Sequence, residues 1–248
     1  MPRTLQYWPP LIDALVTRPR MSSYQAVFRP ANDSELMGVY LWNTHVCGAI
    51  YPLIGMAEVS LRNSIDQVLT RALGRFWWAG SRLRYRSFAS GVGVPTVVRA
   101  VRDGFAAAGS KYLAEQRRLL AFVHDLTATV RDFRNRIFHH EPAWKRFGVI
   151  TEADAIQHLR DKIATIEELL ALIHPDNIGL LETNGLLSTA QRACTSDEIR
   201  RFQHLAQTHT VRSLVDLAQL VQRSAANNAV LQARLEGDPR RRFVVSPH

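Results

Sequence analysis

Apolar residues recur along this chain at steps of three and four, the period of helices with one buried face. The most regular run is Ala114 to His140, where Leu119, Val123, Leu126, Val130, Phe133 and Ile137 share one side. Glu141-Pro142 is expected to stop it, because a residue before proline disfavours the helical region. Thr151, with Asp154 three residues on, reads as a capping box. It precedes a stripe of Ile156, Leu159, Ile163, Ile166, Leu170 and Ile173, closed by Pro175. Upstream, Asp33 or Ser34 is expected to cap a helix from Glu35 to about Ala49. Pro52 then kinks it or starts the next helix, which carries Ala57, Leu61, Ile65, Val68, Leu69 and Ala72 and ends near Gly74. Shorter helices are expected at Pro10–Val16, at Pro95–Ala107, and from Asp197 to about Gln207 with Ser196 as cap. A last helix from Val211 to Leu235 would present Leu214, Leu217, Val221, Ala225 and Leu231. No β-alternation of useful length interrupts the pattern, so the predicted fold class is all-α.

This pattern divides the chain into four parts. Residues 1–34 are a proline-punctuated N-terminal segment, and residues 35–175 form the main helical domain. Residues 176–237 form a C-terminal helical extension, and residues 238–248, with Arg240 to Arg242, read as a basic tail expected to be disordered. With 248 residues, 46% of them hydrophobic, a core can form without disulfides or metal. Cys47 and Cys194 are far apart and in no C-x-x-C pattern, which fits a reducing cytoplasm. No signal-peptide pattern opens the chain, and no apolar run approaches the roughly 18–20 residues a membrane span needs. A soluble, cytoplasmic protein with no membrane partner is therefore expected.

Charge adds a direction. Lys and Arg total 31 against 22 acidic residues, a formal +9, and the only lysines are Lys111, Lys145 and Lys162. Guanidinium binds phosphate bidentately and stacks on flat rings, so such a chain leans towards nucleic acid. An arginine-rich genome-wide composition would account for the same excess. Arg82, Arg84 and Arg86 around Tyr85, in a glycine- and serine-rich stretch, are the candidates for contact with an RNA backbone, or else a solvated loop.

The segment that carries chemistry is Arg131 to Trp144, RDFRNRIFHHEPAW. Arg134, Asn135 and His139 within it are the candidate catalytic residues, with His140 beside them. Metal-free RNA cleavage needs a histidine to move a proton and an arginine to stabilise charge on the phosphoryl oxygens. His139 and His140 fall at a helix C-terminus, whose exposed carbonyls favour a protonated imidazole. No clustered carboxylates and no His/Cys spacing suggest a metal site, and no cofactor is expected. Residues five apart on a helix lie about 140° around its axis, so Arg134 and His139 do not share a stripe. Either the last turn is distorted or a second subunit completes the site. Structural alternatives stand beside this: Arg134 paired with Glu58 or Asp132, and the two histidines capping the helix end. Trp42, Trp77, Trp78 and Trp144 are expected in the core rather than stacked on bases.

RNRIFHHEPAW resembles the RN…HHE…W block of Abi-like (abortive infection) proteins, and R-N-x-x-x-H resembles the R-x(4–6)-H signature of the HEPN superfamily. Trp42-Asn43, followed by Glu58, Val59, Leu61, Arg62 and Asn63 of an E-V-x-L-R-N run, resembles that family's first long helical block. The resemblance covers residues 35–175. It implies an HEPN-like helical bundle, here with additional C-terminal helices. It also implies a metal-independent endoribonuclease working as a homodimer, often a toxin in anti-phage defence and restrained by an antitoxin or regulatory partner. On that pattern Arg134 and His139 are catalytic, Asn135 orients the phosphate or the histidine, and Glu58 positions an arginine. Arg62 and Asn63 support it. A local Glu58–Arg62 pair on one helix explains those two residues nearly as well. Two features depart from the family. The stretch between Trp78 and Tyr112 lacks its Phe-Gly-x-Trp feature, and nothing after Pro175 resembles it. The alternative function is a non-catalytic HEPN-like module that binds RNA or a protein.

Overall fold

A computed structural model describes residues 16–76 and 110–247. The expectations for Pro10–Val16 (save Val16 itself), Trp77, Trp78, Arg82, Arg84, Arg86 and the Pro95–Ala107 helix lie outside the described residues. What is described is mostly helical. In chain order the helices are α1 (Arg18–Phe28), α2 (Asp33–Leu73), α3 (Ser110–Phe138), α4 (Glu152–Ile173), α5 (Asp176–Thr183), α6 (Leu186–Ala193) and α7 (Ser196–Phe202). Then follow β1 (Thr208–Val211), α8 (Leu214–Asn227), β2 (Leu231–Leu235) and β3 (Asp238–Val245).

Helix α2 is one 41-residue helix with Pro52 inside it. The proline lacks the N–H that would bond the carbonyl of Gly48, yet the helix continues through it. Its cap is Asn32, whose side chain accepts from the Glu35 N–H, while Glu35 reaches back to the Ala31 N–H. Helix α4 begins with the expected capping box of Thr151 and Asp154, and buries Ile156, Leu159, Ile163, Ile166 and Leu170. Helix α3 buries Leu126, Val130, Phe133 and Ile137 against the same core. That core also takes in Leu181 of α5, Leu187 and Ala190 of α6, and Ile199 of α7.

Aromatic rings close one end of the core. Phe28 of α1 lies edge-on to both Trp42 (5.4 Å) and Trp144 (5.0 Å), and Tyr24 lies 5.2 Å from Trp144. Trp42 is fully buried, and its indole N–H donates to the Ala193 carbonyl at 2.9 Å. Where α2 passes the end of α7, Gly38 permits the contact: a Cβ there would lie 2.5 Å from the Phe202 carbonyl oxygen. Among the described residues no helix is long and apolar enough to cross a membrane.

Several local expectations are corrected. Helix α1 lies inside the segment that proline punctuation leaves largely unassigned, with a proline in its own first turn. The cap of α7 is Thr195, not Ser196, and the helix ends at Phe202. Residues 176–193, within the expected C-terminal helical extension, form two short helices. The expected Val211–Leu235 helix is only α8, flanked by strands. The buried face of α8 is Leu217, Leu220 and Ser224, while Leu214 and Val221 are exposed. Ser224 can be buried because its hydroxyl donates to the Ala229 carbonyl at 2.8 Å. Residues 238–245, expected to belong to a disordered tail, are β3, so the mostly helical chain carries a small sheet at its C-terminal end. The sheet order is β1-β2-β3; β1 runs parallel to β2 through the α8 crossover, and β3 returns antiparallel.

Candidate functional site

The site is built where the C-terminal end of α3 meets the middle of α2. Glu58 is on α2, and its Oε2 lies 3.3 Å from Nε of Arg134 on α3. Its other oxygen lies 3.4 Å from Arg62, one helical turn on. One carboxylate therefore faces two arginines, one local and one from another helix. The Arg134 guanidinium also stacks over Phe138, with Cζ 4.6 Å from the ring centre. Phe138 in turn meets Tyr51 of α2 at 5.4 Å between centroids. Arg134 Nε is shut off from solvent but makes no aligned hydrogen bond, so its attachment to Glu58 is an ion pair by proximity. Nη1 reaches Asn135 Oδ1 only at 3.5 Å. Nη2 has no partner among the described contacts. Asn63 is exposed and joins none of these groups.

Helix α3 ends earlier than Glu141-Pro142 and by a different device. His140 has φ +53°, its N–H donates to the Ile137 carbonyl, and the Glu141 N–H donates to the Arg136 carbonyl. This pair of bonds is the Schellman closure, in which the left-handed residue is usually glycine. Here a histidine takes it. The His140 carbonyl accepts from Arg20 of α1 at 2.8 Å, so α1 clasps the turn from outside.

The turn then leads into the core. The Ala143 N–H donates to Asn43 Oδ1 at 2.9 Å, a buried bond across 100 residues of sequence. Trp144 follows it into the aromatic cluster. Arg136 ties the loop from the other side, donating to the Lys145 carbonyl at 2.8 Å. The Trp42-Asn43 pair thus acts structurally: Trp42, expected in the core, pins α6, and Asn43, read from resemblance alone, pins the turn beyond the motif. Sequence reasoning missed the roles of Asn43, Arg20 and Arg136.

His139 is exposed, and none of the described contacts joins it to Arg134. The helix is regular to Phe138, and the His139 N–H keeps its bond to the Asn135 carbonyl at 3.0 Å. The last turn is therefore not distorted enough to swing the imidazole towards Arg134. The structure brings Glu58, Arg62, Arg134 and Asn135 together and leaves His139 and His140 on the turn beyond.

Behind the turn lies His158 of α4, buried, with Nδ1 lacking a hydrogen-bond partner. Burial and the nearby positive charges of Lys162 and Arg146 push its pKa down to about 4. Among the described residues no group of three His, Cys, Asp or Glu is arranged to hold a metal ion. Cys47 and Cys194 are free thiols, pushed up by burial to about 11 and about 12.

Comparison with known proteins finds no match, whether with family models, curated proteins or solved structures.

Proposed function

We propose that this protein is a metal-independent endoribonuclease of the HEPN type, acting as a homodimer through Arg134 and His139. The observation that carries the reading is the placement of Arg134. A second helix holds it by Glu58, an aromatic ring supports it, and its Nη2 has no partner among the described contacts, five residues from an exposed histidine. In the proposed reaction a ribose 2′-oxygen attacks the adjacent phosphorus, and the bond to the 5′-oxygen breaks. An imidazole takes the 2′-hydroxyl proton or delivers one to the leaving 5′-oxygen. The guanidinium stabilises charge on the non-bridging oxygens, and the products are a 2′,3′-cyclic phosphate and a 5′-hydroxyl. General acid–base help of this kind contributes about 10²–10⁴ in rate.

The angular separation of Arg134 and His139 supports the dimer, because two-fold pairing lets one chain supply arginine and the other histidine to one phosphate. The resemblance adds the biological setting, a growth-arresting toxin of anti-phage defence held by a regulatory partner. A non-catalytic RNA- or protein-binding module is the second reading, and the Glu58–Arg134 ion pair favours it in so far as it occupies the guanidinium. Purified protein incubated with RNA in excess EDTA separates the two. Cleavage leaving cyclic phosphate ends, and lost in His139→Ala, supports the enzyme. Cleavage that needs Mg²⁺, or persists in both Arg134→Ala and His139→Ala, refutes this mechanism. Mixing the two variants tests the shared site: partial recovery of activity is expected, and full-rate cleavage by a monomer overturns it.

A further inference from the structure

Among the described residues, the three-stranded sheet has one face covered by α8 and one face with no element packed on it. Val211, Leu231, Ala233, Phe243 and Val245 pack with Leu217 and Leu220 of α8. Strand residues alternate between faces, so their neighbours point away from the helix. The register places these neighbours in two rows across all three strands: Thr208, Gln232 and Val244, then Thr210, Arg234 and Arg242. Arg234 and Arg242 are therefore direct cross-strand partners, and both are exposed. Like charges directly opposite one another on a sheet are destabilising. Arg234 donates only to the neutral Thr210 hydroxyl, at 3.3 Å, and Arg242 has no partner among the described contacts.

Two of the carboxylates near this sheet, Glu236 and Asp216, are engaged by Arg212 instead. Residues 208–247 hold six arginines (212, 223, 234, 240, 241 and 242) against three carboxylates (216, 236 and 238). Glu236 pairs with Arg212 at 3.1 Å, and Asp216 accepts from the Arg212 N–H at the start of α8. An exposed Arg–Arg row flanked by hydroxyl and amide side chains is a surface made for an external anion. Guanidinium, hydroxyl and amide groups are what proteins use on phosphate and sugar oxygens. Val244 is the one large apolar residue of the two rows, too little for insertion into a lipid surface.

We propose that this open sheet face is a second nucleic-acid site. Arg234 and Arg242 grip the phosphate backbone, and Thr208, Thr210 and Gln232 hydrogen-bond along it. The two rows contain no aromatic ring, so the site reads charge and backbone rather than base identity. It stands apart from Arg134 and His139 and does not rest on the ribonuclease reading.

The test is fluorescence anisotropy of the full chain with labelled 20-nucleotide oligouridylate and oligothymidylate across a salt series. The deoxy strand has no 2′-hydroxyl, so its binding is read even if the ribonuclease proposal fails. Both strands should bind. R234Q/R242Q should weaken both several-fold at low salt and lower the salt slope by about 1.4, two contacts at ~0.7 each for single strands. Its thermal midpoint should not fall, because the substitution removes a like-charge pair. Arg223→Gln on α8, across the sheet, is the control for net charge. An unchanged slope in R234Q/R242Q, or an equal loss in Arg223→Gln, overturns the site. Binding to vesicles of phosphatidylserine and phosphatidylcholine with none to either oligonucleotide overturns it in favour of a membrane surface. Should the double variant fold poorly, the single R242Q carries the same comparison with half the change in slope.

Discussion

Glu58 and Arg134 meet across α2 and α3 with 3.3 Å between Oε2 and Nε, without an aligned hydrogen bond, and both side chains are more than a third exposed. Such a pair adds little to stability, about 0.2–1 kcal/mol at most. In the proposed mechanism its effect is to aim a guanidinium. Glu58→Ala should therefore leave the thermal midpoint within a few degrees of wild type and lower RNA cleavage at least about tenfold. Parallel melting curves and cleavage rates check this, and a variant that cleaves normally removes Glu58 from the site.

His140 and His139 separate by backbone conformation. The left-handed region costs a non-glycine residue about 1–2 kcal/mol, and His140 occupies it at φ +53°. His140→Gly keeps the backbone bonds of the turn and should raise stability by about 1 kcal/mol, or ~2–4 °C for a chain of this size. Cleavage should persist. His139→Ala should do the opposite, losing cleavage with an unchanged melting curve. If His140→Gly is the inactive one, the histidine assigned to proton transfer is the wrong member of the pair.

Asn43→Ala removes the acceptor of the buried Ala143 N–H. An orphaned buried donor costs about 1–3 kcal/mol. Equilibrium denaturation should show that loss, and hydrogen exchange should quicken at Ala143 and its neighbours. A cost well below this range would mean that water reaches the turn.

Two buried groups make stability fall in acid. His158, held down to about 4 by burial and by Lys162 and Arg146, stays neutral in the folded state while its unfolded form titrates near 6.5. The unfolded chain binds the extra proton between those values, so stability falls as pH drops from about 6.5 towards 4. Glu198 behaves in the complementary way. Burial raises its carboxyl, but hydrogen bonds from His45 and Arg201 outweigh this and bring it down to about 2. Its contribution is complete above the ordinary carboxylate value near 4.5 and is lost as pH falls towards 2. Thermal midpoints from pH 7 to 3 should decline in two stages, and His158→Leu should flatten only the first. A first stage that persists in that variant assigns it to another group.

The stripes of α4 and of α3 from Leu126 to Ile137 are legible in the sequence because each buries one face, and the Thr151 box marks the start of α4. Of the two readings at Pro52, a kink or a new helix, the new helix is not what forms, and Leu53, Ile54 and Ala57 keep the helix packed through the proline. Strands β1 and β2 are too short for alternation to stand out. The Arg240–Arg242 run hides β3, although Pro239 fits an edge strand, where no inward N–H is needed. At the candidate site the motif is legible by type and spacing. The Glu58–Arg134 contact is one of two pairings the residue types allow, and only tertiary packing selects it. His140's left-handed turn leaves no mark, since glycine is the usual sign of that conformation.

The bond from Trp42 to the Ala193 carbonyl bears on how the chain is born. Synthesis delivers the first half of α2 long before α6, and the indole has no partner until Ala193 has left the ribosome. The motif turn leans on the same aromatic cluster through Trp144. A nascent chain stopped after Trp144 but before α6 carries Arg134 and His139 on an unclosed core. The packing that fixes that turn is therefore complete only once α6 has been made, well after the turn itself.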